Sequence, residues 1–214
     1  MITIKRFVCN MLQENCYVVS DDTRQAVIID CGAYFEAEHK AIVEYIGSER
    51  LTPCHLIATH AHFDHCLGNG AMARRYGLTP RVPKGDEDMT DLNRQMMSMT
   101  GTALPGTDDS TYYAVYGDDD TFEFGTHRLT AIHTPGHSPG SCCLYCREES
   151  TLFAGDTLFR MSIGRTDFEG GSWTDMQKSL ARLSELPADT IVLPGHGPQT
   201  TIADERQFNP YMRR

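Results

Sequence analysis

The sequence predicts an α/β fold in which two β-sheets lie face to face between outer helices, a four-layer αββα sandwich. Strand signals dominate the first thirty residues, and a helical pattern over 36–50 precedes the apolar run Leu56-Ile57-Ala58. A second group of strand signals spans 121–154, and another helical pattern follows over 174–186. Each half of the chain thus supplies strands and a helix, which is typical of layered α/β proteins.

Residues at the ends of the helical patterns favour the predicted helices. Ser172 is a suitable N-cap for the helix over 174–186, and we expect that helix to stop at Pro187. A shorter helix-compatible stretch covers 67–76. The 214 residues can bury a substantial core and contain no Ser/Gly-rich linker, so we expect a single domain over 1–214.

The segment 83–120 departs from this pattern. It contains Met89, Met96, Met97 and Met99 and ends in an acidic run at 118–120. Its first part, 86–99, is compatible with an amphipathic helix, and the rest is typical of an exposed loop. Because methionine side chains adapt to varied apolar partners, the segment is a candidate cap over a binding site or a dimer contact. A helix packed on the core is the alternative.

The most informative segment is His60-Ala61-His62-Phe63-Asp64-His65, which holds three imidazoles and one carboxylate. It follows the predicted strand that contains Leu56. Residues two apart lie on one side of a strand, so His60 and His62 can converge on one ion. Asp64 and His65 then turn toward a second point. The segment predicts a metal site at the end of a strand, where α/β folds bind their ligands.

Three more candidate ligands lie downstream, each in a turn after a short strand-like run. They are His137, Asp156 and His196. Glycine or proline beside each one lets the backbone approach an ion closely and fixes the turn. With the six-residue segment they give seven candidate ligands, which is too many for one tetrahedral zinc and about right for two ions that share a bridge.

This ordered set of motifs resembles the metallo-β-lactamase fold superfamily, in its hydrolytic branch. Besides the six-residue segment, the motifs that carry the resemblance are Asp30-Cys31-Gly32, Thr134-Pro135-Gly136-His137, Gly155-Asp156-Thr157-Leu158-Phe159, Gly164-Arg165-Thr166-Asp167 and Leu193-Pro194-Gly195-His196-Gly197. The resemblance implies the αββα sandwich. It also implies that His60, His62 and His137 hold one ion, that Asp64, His65 and His196 hold a second, and that Asp156 bridges them.

Within the superfamily the sequence looks like the short relatives of glyoxalase II, which hydrolyse thioesters such as hydroxyacylglutathione. The resemblance implies two divalent ions, with zinc as the first expectation and iron or manganese as alternatives, since all three accept imidazole and carboxylate ligands. We expect no counterpart of the helical carboxy-terminal domain of glyoxalase II. Asp167 and Gly197-Pro198 stand where that enzyme has tyrosines that contact glutathione, so the thiol of the substrate stays open.

The implied mechanism is hydrolysis by a hydroxide that bridges two metal ions. Two cations lower the pKa of a water between them toward neutrality, and Asp64 is the candidate to hold its proton. Arg165 is the candidate for binding a substrate carboxylate, because its guanidinium matches that group bidentately. A salt bridge from Arg165 to Asp167 or Asp156 is the alternative role.

A second reaction class also fits these motifs. Persulfide dioxygenases share the fold and most of the ligand motifs but use one iron, and Gly164-Arg165-Thr166-Asp167-Phe168 looks like their sequence. In contrast, Pro194-Gly195-His196-Gly197-Pro198 resembles the hydrolase ending. We therefore favour hydrolysis and keep a mononuclear iron persulfide dioxygenase as the alternative.

The remaining polar candidates have weaker patterns. We expect no ligand role for His39, His55, His127 and His133, the last of which is a structural or supporting residue. Asp30 ends a strand-like run and is a candidate to orient the six-residue loop, since metal-binding histidines commonly donate their second N–H to a carboxylate. A plain turn aspartate is the alternative. Cys66 adjoins the motif and is a minor candidate for contact with the site.

The amino-terminal sequence, the cysteines and the net charge predict the cellular compartment and the class of binding partner. The amino terminus begins as a strand with no secretory segment, so we expect the eight cysteines to be reduced and the protein to be cytoplasmic. Cys143 and Cys146 lie in an alternating run that points them to opposite faces. A net charge of −10 argues against nucleic acid as a binding partner. The sequence contains no apolar run long enough to predict a membrane span. We expect a small-molecule thioester as partner and a monomer or homodimer.

Overall fold

Two six-stranded sheets face each other in the computed structural model, which describes residues 1–89, 93, 98 and 113–213. The first sheet contains β1 (Thr3–Cys9), β2 (Glu14–Ser20), β3 (Gln25–Ile29), β4 (Thr52–Ile57), β5 (Pro80–Pro83) and β6 (Ala114–Tyr116), in that order. The second contains β7 (Thr121–Phe124), β8 (His127–His133), β9 (Cys142–Cys146) and β10 (Thr151–Gly155). A hairpin of β11 (Leu158–Phe159) and β12 (Ser162–Ile163) follows, and β13 (Ile191–Pro194) and β14 (Thr200–Thr201) complete the second sheet.

The described residues form five α-helices, which are α1 (Glu36–Ser48), α2 (Phe63–Cys66), α3 (Asn69–Tyr76), α4 (Trp173–Leu183) and α5 (Ile202–Phe208). Four of them lie on the outer faces of the sheets, whereas the short α2 overlaps the six-residue motif. Ile42 of α1 and Met72 of α3 pack against the first sheet, and Leu180 of α4 and Ile202 of α5 pack against the second. This arrangement confirms the predicted α/β class with its αββα layers. Within the described part of the chain, no helix is long and apolar enough to cross a membrane.

Alternating side chains build the core between the sheets. In β2, Tyr17 and Val19 point toward the second sheet, whereas Val18 points toward the helices. In β9, Cys146 lies between the sheets and Cys143 lies under α4, as the alternation predicted. All eight cysteines are free thiols.

The helix boundaries differ from the predicted ones by a few residues. The predicted helix over 36–50 ends at Ser48, and the one over 67–76 begins at Asn69, because α2 forms a separate turn just before it. Ser172 caps α4 as expected, since its Oγ accepts a hydrogen bond from the Asp175 backbone N–H at 3.2 Å. The expectation that α4 continues to Pro187 was wrong, because tight turns follow the helix from Leu183 onward.

Most of the segment 83–120, with Met96, Met97 and Met99, lies outside the described residues. The predicted helix over 86–99 and the predicted capping role therefore stay predictions. Met89 is described, and it is buried against Ala58, Ala61 and Val82 beside the six-residue motif.

The sheet topology brings several strand ends to one edge. Strands β10 and β13 are parallel, and β8 runs in the same direction because two antiparallel pairings through β9 separate it from β10. In the first sheet, β3 and β4 are parallel. Backbone hydrogen bonds join the two sheets at this edge, from Asn15 N to Gly195 O at 2.7 Å and from Cys142 N to Thr59 O at 2.9 Å. The turns after these strands carry the predicted ligands.

Candidate metal centre

Seven side chains that can bind a metal ion meet at this edge. His60 follows β4, His62 immediately precedes α2, Asp64 and His65 lie within α2, and His137, Asp156 and His196 follow β8, β10 and β13. The structure therefore brings together every ligand candidate that the sequence analysis named. The side chain of His196 is the most exposed of the histidines, at 25%, so the cluster opens to solvent on that side.

The seven side chains form two groups that can each hold an ion. Potential ligand atoms of His60, His62 and His137 all lie within 4.8 Å of one another. The same limit holds for Asp64, His65 and His196. These groups match the two ligand sets that the family resemblance implied.

Asp156 lies between the two groups. Its Oδ2 is 3.5 Å from His137 Nε2, and its Oδ1 is 3.4 Å from His65 Nε2. One carboxylate thus faces a histidine of each group, which is the placement that a bridging ligand needs.

Several buried nitrogen and oxygen atoms that point into this cluster lack hydrogen-bond partners. Within the described residues, no partner is found for His60 Nε2, His62 Nε2, His65 Nε2, His137 Nε2 and Asp156 Oδ1. An unsatisfied buried polar atom costs about 1–3 kcal/mol. Five such atoms that converge on one small space are hard to explain by packing, whereas divalent cations would satisfy all of them. The donor set therefore fits metal ions.

The second nitrogens of the histidines are anchored to the protein. His137 Nδ1 donates to the Arg165 carbonyl at 2.8 Å, and His196 Nδ1 donates to the Leu12 carbonyl at 3.1 Å. His60 Nδ1 lies 3.2 Å from Thr59 Oγ1. These contacts orient the rings and leave each Nε2 directed into the cluster.

Asp30 contacts both Thr59, which precedes the six-residue segment, and His65 within it. Its Oδ1 accepts a hydrogen bond from Thr59 N at 2.6 Å, and its Oδ2 accepts one from Thr59 Oγ1 at 2.8 Å. The same Oδ2 lies 3.3 Å from His65 Nδ1. Asp30 thus contacts the residue before the motif and faces His65, which supports the predicted orienting role, and its φ of +51° also places it in a turn.

The electrostatics of the cluster depend on burial and on its mixture of charges. Burial and the neighbouring His137 lower the pKa of His62 to about 3, which keeps that imidazole neutral and able to bind a metal. Burial acts to raise the pKa of Asp64, but His65 and His196 outweigh it and lower the pKa to about 2. For His65 the effect of burial is opposed by Asp64, Asp156 and Asp30, which raise its pKa to about 10. These carboxylates favour the protonated imidazole, and a metal ion at His65 would compete with that proton.

Arg165 lies beside the cluster and forms a bidentate ion pair. Its Nε and Nη2 donate to the two carboxylate oxygens of Asp167 at 2.9 and 2.8 Å, and its guanidinium lies 4.2 Å from the centre of the Phe168 ring. The Phe168 ring centre is in turn 5.7 Å from that of His62. The predicted alternative, a salt bridge to Asp167, is thus present, and a role in substrate binding stays a prediction.

Three of the other histidines have contacts outside the cluster. His133 Nε2 donates to the Pro139 carbonyl at 3.0 Å, His55 Nε2 donates to the Glu123 carbonyl at 2.9 Å, and His127 lies between Asp21 and Glu149. Cys66 Sγ contacts the His60 carbonyl at 3.8 Å, so this thiol touches the backbone of the motif.

Two buried acids near the site were missed by the sequence analysis. Glu14 is fully buried, and its Oε1 lies 4.0 Å from His65 Nδ1. Burial and the nearby Asp30 raise its pKa well above the ordinary value. Glu14 lies within a strand, and no neighbouring motif marks it as a residue of the site. Asp86 has a signal that could have found it, because a strand-like run and Gly85 precede it, as a strand and a glycine precede Asp156.

Comparisons with known sequences agree with this geometry. Residues 9–196 match the family described as the Metallo-beta-lactamase superfamily. The chain is 33% identical over 215 residues to a probable metallo-hydrolase, YqgX, of Bacillus subtilis, covering 97% of this chain and 96% of that protein. It is 35% identical over 159 residues to a hydroxyacylglutathione hydrolase of Rhizobium meliloti, covering 74% of this chain but only 54% of that enzyme.

Solved structures give the same result for the fold. The BLEG-1 B3 metallo-beta-lactamase superposes with a TM-score of 0.87 at 34% identity and covers 98% of this chain and 99% of its own. TTHA1623 in a di-iron-bound form gives 0.84 at 31% identity, covering 97% and 99%. ETHE1 from Myxococcus xanthus gives 0.75 at 27% identity, covering 97% and 83%.

Proposed function

The chain belongs to the metallo-β-lactamase superfamily, and on this premise we propose that it is a binuclear metal-dependent hydrolase that cleaves a thioester. The observation that carries the proposal is the position of Asp156, whose two oxygens face a histidine of each ligand group at 3.4 and 3.5 Å. A carboxylate between two complete groups supports two ions in preference to one.

The proposed ligands follow from the two groups. His60, His62 and His137 would hold one ion, Asp64, His65 and His196 the other, and Asp156 both. Zinc is our first expectation, and the di-iron form of TTHA1623 supports iron as a second. When bound, two such ions supply a water that is acidic near neutral pH and a Lewis acid for a carbonyl oxygen.

Asp64 is the residue that we propose to hold the proton of the attacking water. Its carboxylate is almost fully buried, and its Oδ2 lies 3.2 Å from His196 Nε2, on the more exposed side of the cluster. The low pKa of Asp64 keeps the group ionised and able to accept a hydrogen bond from water.

The nearby nucleophilic side chains have other roles, which supports water as the nucleophile. Burial raises the pKa of the Cys66 thiol well above its ordinary value, so little thiolate is present at neutral pH. The Ser138 hydroxyl donates to Asp86 at 2.7 Å and has no imidazole base among its described partners. A thiolate leaves without strong acid assistance, so the proposed reaction needs no general acid at the cluster.

For substrate recognition we propose that Arg165 binds a carboxylate of the substrate. Its backbone is tied to the cluster because the Arg165 carbonyl accepts the hydrogen bond from His137, and its side chain is held over Phe168. The ion pair with Asp167 is solvent-exposed, with 64% and 67% of the two side chains accessible, so an incoming carboxylate can replace Asp167 at modest cost.

The support for a particular thiol in the substrate comes from a relative that this chain matches only in part. The hydroxyacylglutathione hydrolase of Rhizobium meliloti supports a glutathione thioester, but this chain spans about half of that enzyme's length. We therefore propose the reaction class, thioester hydrolysis, and take S-lactoylglutathione as the first substrate to test.

The test combines metal content with turnover. Protein purified without added metal is analysed by elemental mass spectrometry and assayed with S-lactoylglutathione, with a chromogenic β-lactam, and for oxygen uptake with glutathione persulfide. Close to two ions per chain together with thioester hydrolysis supports the proposal. Two ions per chain with hydrolysis of the β-lactam and not of the thioester would show that the thioester part of the proposal is wrong and that β-lactams are the substrate class. One iron per chain with oxygen uptake and no hydrolysis overturns the proposal in favour of a persulfide dioxygenase.

A further inference from the structure

A buried aspartate outside the ligand set joins two of the loops that carry the ligands. Asp86 is 1% exposed and follows β5. Its Oδ2 accepts hydrogen bonds from Ala61 N at 3.0 Å and from Ser138 Oγ at 2.7 Å, and its Oδ1 accepts one from Gly140 N at 2.6 Å. Three donors on one buried carboxylate form a strong and specific contact, because hydrogen bonds to an ionised acceptor are stronger than neutral ones.

The positions of these donors tie Asp86 to one ligand group. Ala61 lies between His60 and His62 in the sequence, and Ser138 follows His137 directly. The first loop leaves β4 of the first sheet and the second leaves β8 of the second sheet. A single carboxylate thus connects the two sheets at the point where the His60, His62 and His137 rings must converge.

The packing around Asp86 leaves little freedom for these loops. A side chain at Gly140 would place its Cβ 2.7 Å from Asp86 Oδ1, and Gly85, with a φ of +103°, brings its own backbone close to Gly140. Ser138 Oγ also lies 2.7 Å from Ser141 Oγ. The separation of the two loops is therefore set by direct contact and by directed hydrogen bonds.

The other ligand group is held by different residues. Asn10 Nδ2 donates to the Asp64 carbonyl at 2.9 Å, and Asn15 Nδ2 donates to the carbonyls of Pro194 and Gly197, on either side of the His196 turn, at 2.9 Å each. Asp30 faces His65. The hydrogen bonds that Asp86 accepts go to none of these residues. Loss of its carboxylate should therefore weaken binding of the ion at the His60, His62 and His137 group most, and should reach the second ion only through the shared Asp156.

We infer that Asp86 is a positioning residue that sets the separation of the His60-His62 and His137 loops and so determines the affinity of the ion at that group more than the affinity of the second ion. The inference uses the proposed function only in assuming that the chain binds two ions. It concerns binding, so it can be tested without turnover.

The test is an Asp86→Asn variant titrated with Co²⁺. The amide keeps the shape but replaces one acceptor oxygen with a donor that faces N–H or O–H groups, so at least one of the three hydrogen bonds is lost. Metal-free protein is titrated against a chromophoric chelator, and the Co²⁺ absorption spectrum follows each site. We expect one site to bind about 10- to 100-fold more weakly and the affinity of the other site to change much less. We also expect activity to return at high Co²⁺ with an unchanged KM.

Two further variants separate positioning from a general loss of stability. Ser138→Ala removes one hydrogen bond and keeps the two from backbone N–H groups, so it should weaken the same site by a smaller factor. Asp21→Asn is the matched control, because Asp21 is also a buried acid that accepts backbone N–H bonds, from Thr23 and Thr126, but lies away from the cluster. It should lower thermal stability and leave both Co²⁺ affinities unchanged.

The possible outcomes distinguish this inference from the proposed function. If the wild-type protein binds fewer than two ions, the binuclear proposal is wrong and the inference falls with it. If the wild type binds two ions and both affinities are unchanged in Asp86→Asn, only the inference is wrong. Where Asp86→Asn does not fold, Ser138→Ala decides, and an unchanged affinity in that variant overturns the inference.

Discussion

Asp156 Oδ1 lies 3.4 Å from His65 Nε2, and both atoms are directed into the cluster with no hydrogen-bond partner in the described chain. His65 is fully buried, so this pair is a charge contact shielded from solvent. Since the other Asp156 oxygen faces His137, the carboxylate is the point at which the two ligand groups are coupled.

Asp156→Ala should therefore reduce the metal content at both groups and lower thioester hydrolysis by more than about 100-fold, since residues that only support ligands already contribute about 10- to 100-fold. Elemental mass spectrometry and steady-state kinetics on the same preparation measure both effects. Asp189→Ala, at an exposed position, is the control and should retain metal and activity. Retention of two tightly bound ions by Asp156→Ala would contradict the bridging role.

The ligands could be predicted from sequence because each one has a local signal. His60 and His62 follow an apolar strand, and Asp156 and His196 follow strands that end in glycine. The ligand loops are therefore visible as short patterns, and the layered fold follows from the order of strands and helices. The prediction missed the separate helical turn α2, because four residues are too few to establish a helical period.

The strand-like run and Gly85 mark Asp86 itself as a candidate, but the partners of the supporting residues could not be predicted because they are distant in sequence. Asp86 accepts a hydrogen bond from Gly140, 54 residues away, and Asn15 donates to Pro194, 179 residues away. Glu14 is buried beside His65 only because the β1–β2 turn meets α2 in the folded chain. Such contacts depend on how the two sheets are placed, and no local pattern records that placement.

Arg165→Ala should raise the KM for thioesters that carry a carboxylate by about tenfold, which corresponds to about 1.4 kcal/mol, and leave kcat nearly unchanged. The physical reason is the loss of a bidentate partner that lies near the cluster but does not contact the reacting atoms. Asp167→Asn should have the opposite effect, because it frees the guanidinium from its internal carboxylate.

A neutral thioester of the same length is the control substrate for both variants, and its KM should not change. Equal effects on the neutral and the acidic thioester would show that Arg165 acts on the shape of the loop over Phe168 and not on substrate charge.

The Asp21 carboxylate should make the fold sensitive to acid. Burial acts to raise its pKa, but hydrogen bonds from Thr126, Thr23 and His127 outweigh burial and hold the pKa below its ordinary value. A group with a depressed pKa in the folded state contributes stability above its unfolded pKa, about 3.9, and loses it as the pH falls toward the folded pKa. The wild-type free energy of unfolding should therefore decrease below about pH 4.

Asp21→Asn should lower the free energy of unfolding at pH 7 by about 1–3 kcal/mol, the cost of leaving buried donors unsatisfied. Its stability should also depend less on pH between about 4 and 2, because the titrating group is gone. Urea unfolding at several pH values measures both effects. A pH dependence identical to that of the wild type would show that other carboxylates dominate acid unfolding.

Removal of the metal ions should destabilise the folded chain. The buried atoms without partners, among them His60 Nε2 and His62 Nε2, would lose the cations that satisfy them. Each ion present at about 100 times its dissociation constant contributes about 2.7 kcal/mol to the free energy of unfolding. Treatment with a chelator should therefore lower the Tm, and added Zn²⁺ should restore it. The Tm of the Asp156→Ala variant should fall much less on chelator treatment, because its lower starting stability already reflects the loss of bound metal. An equally large fall in the Tm of that variant would show that the chelator acts elsewhere on the protein.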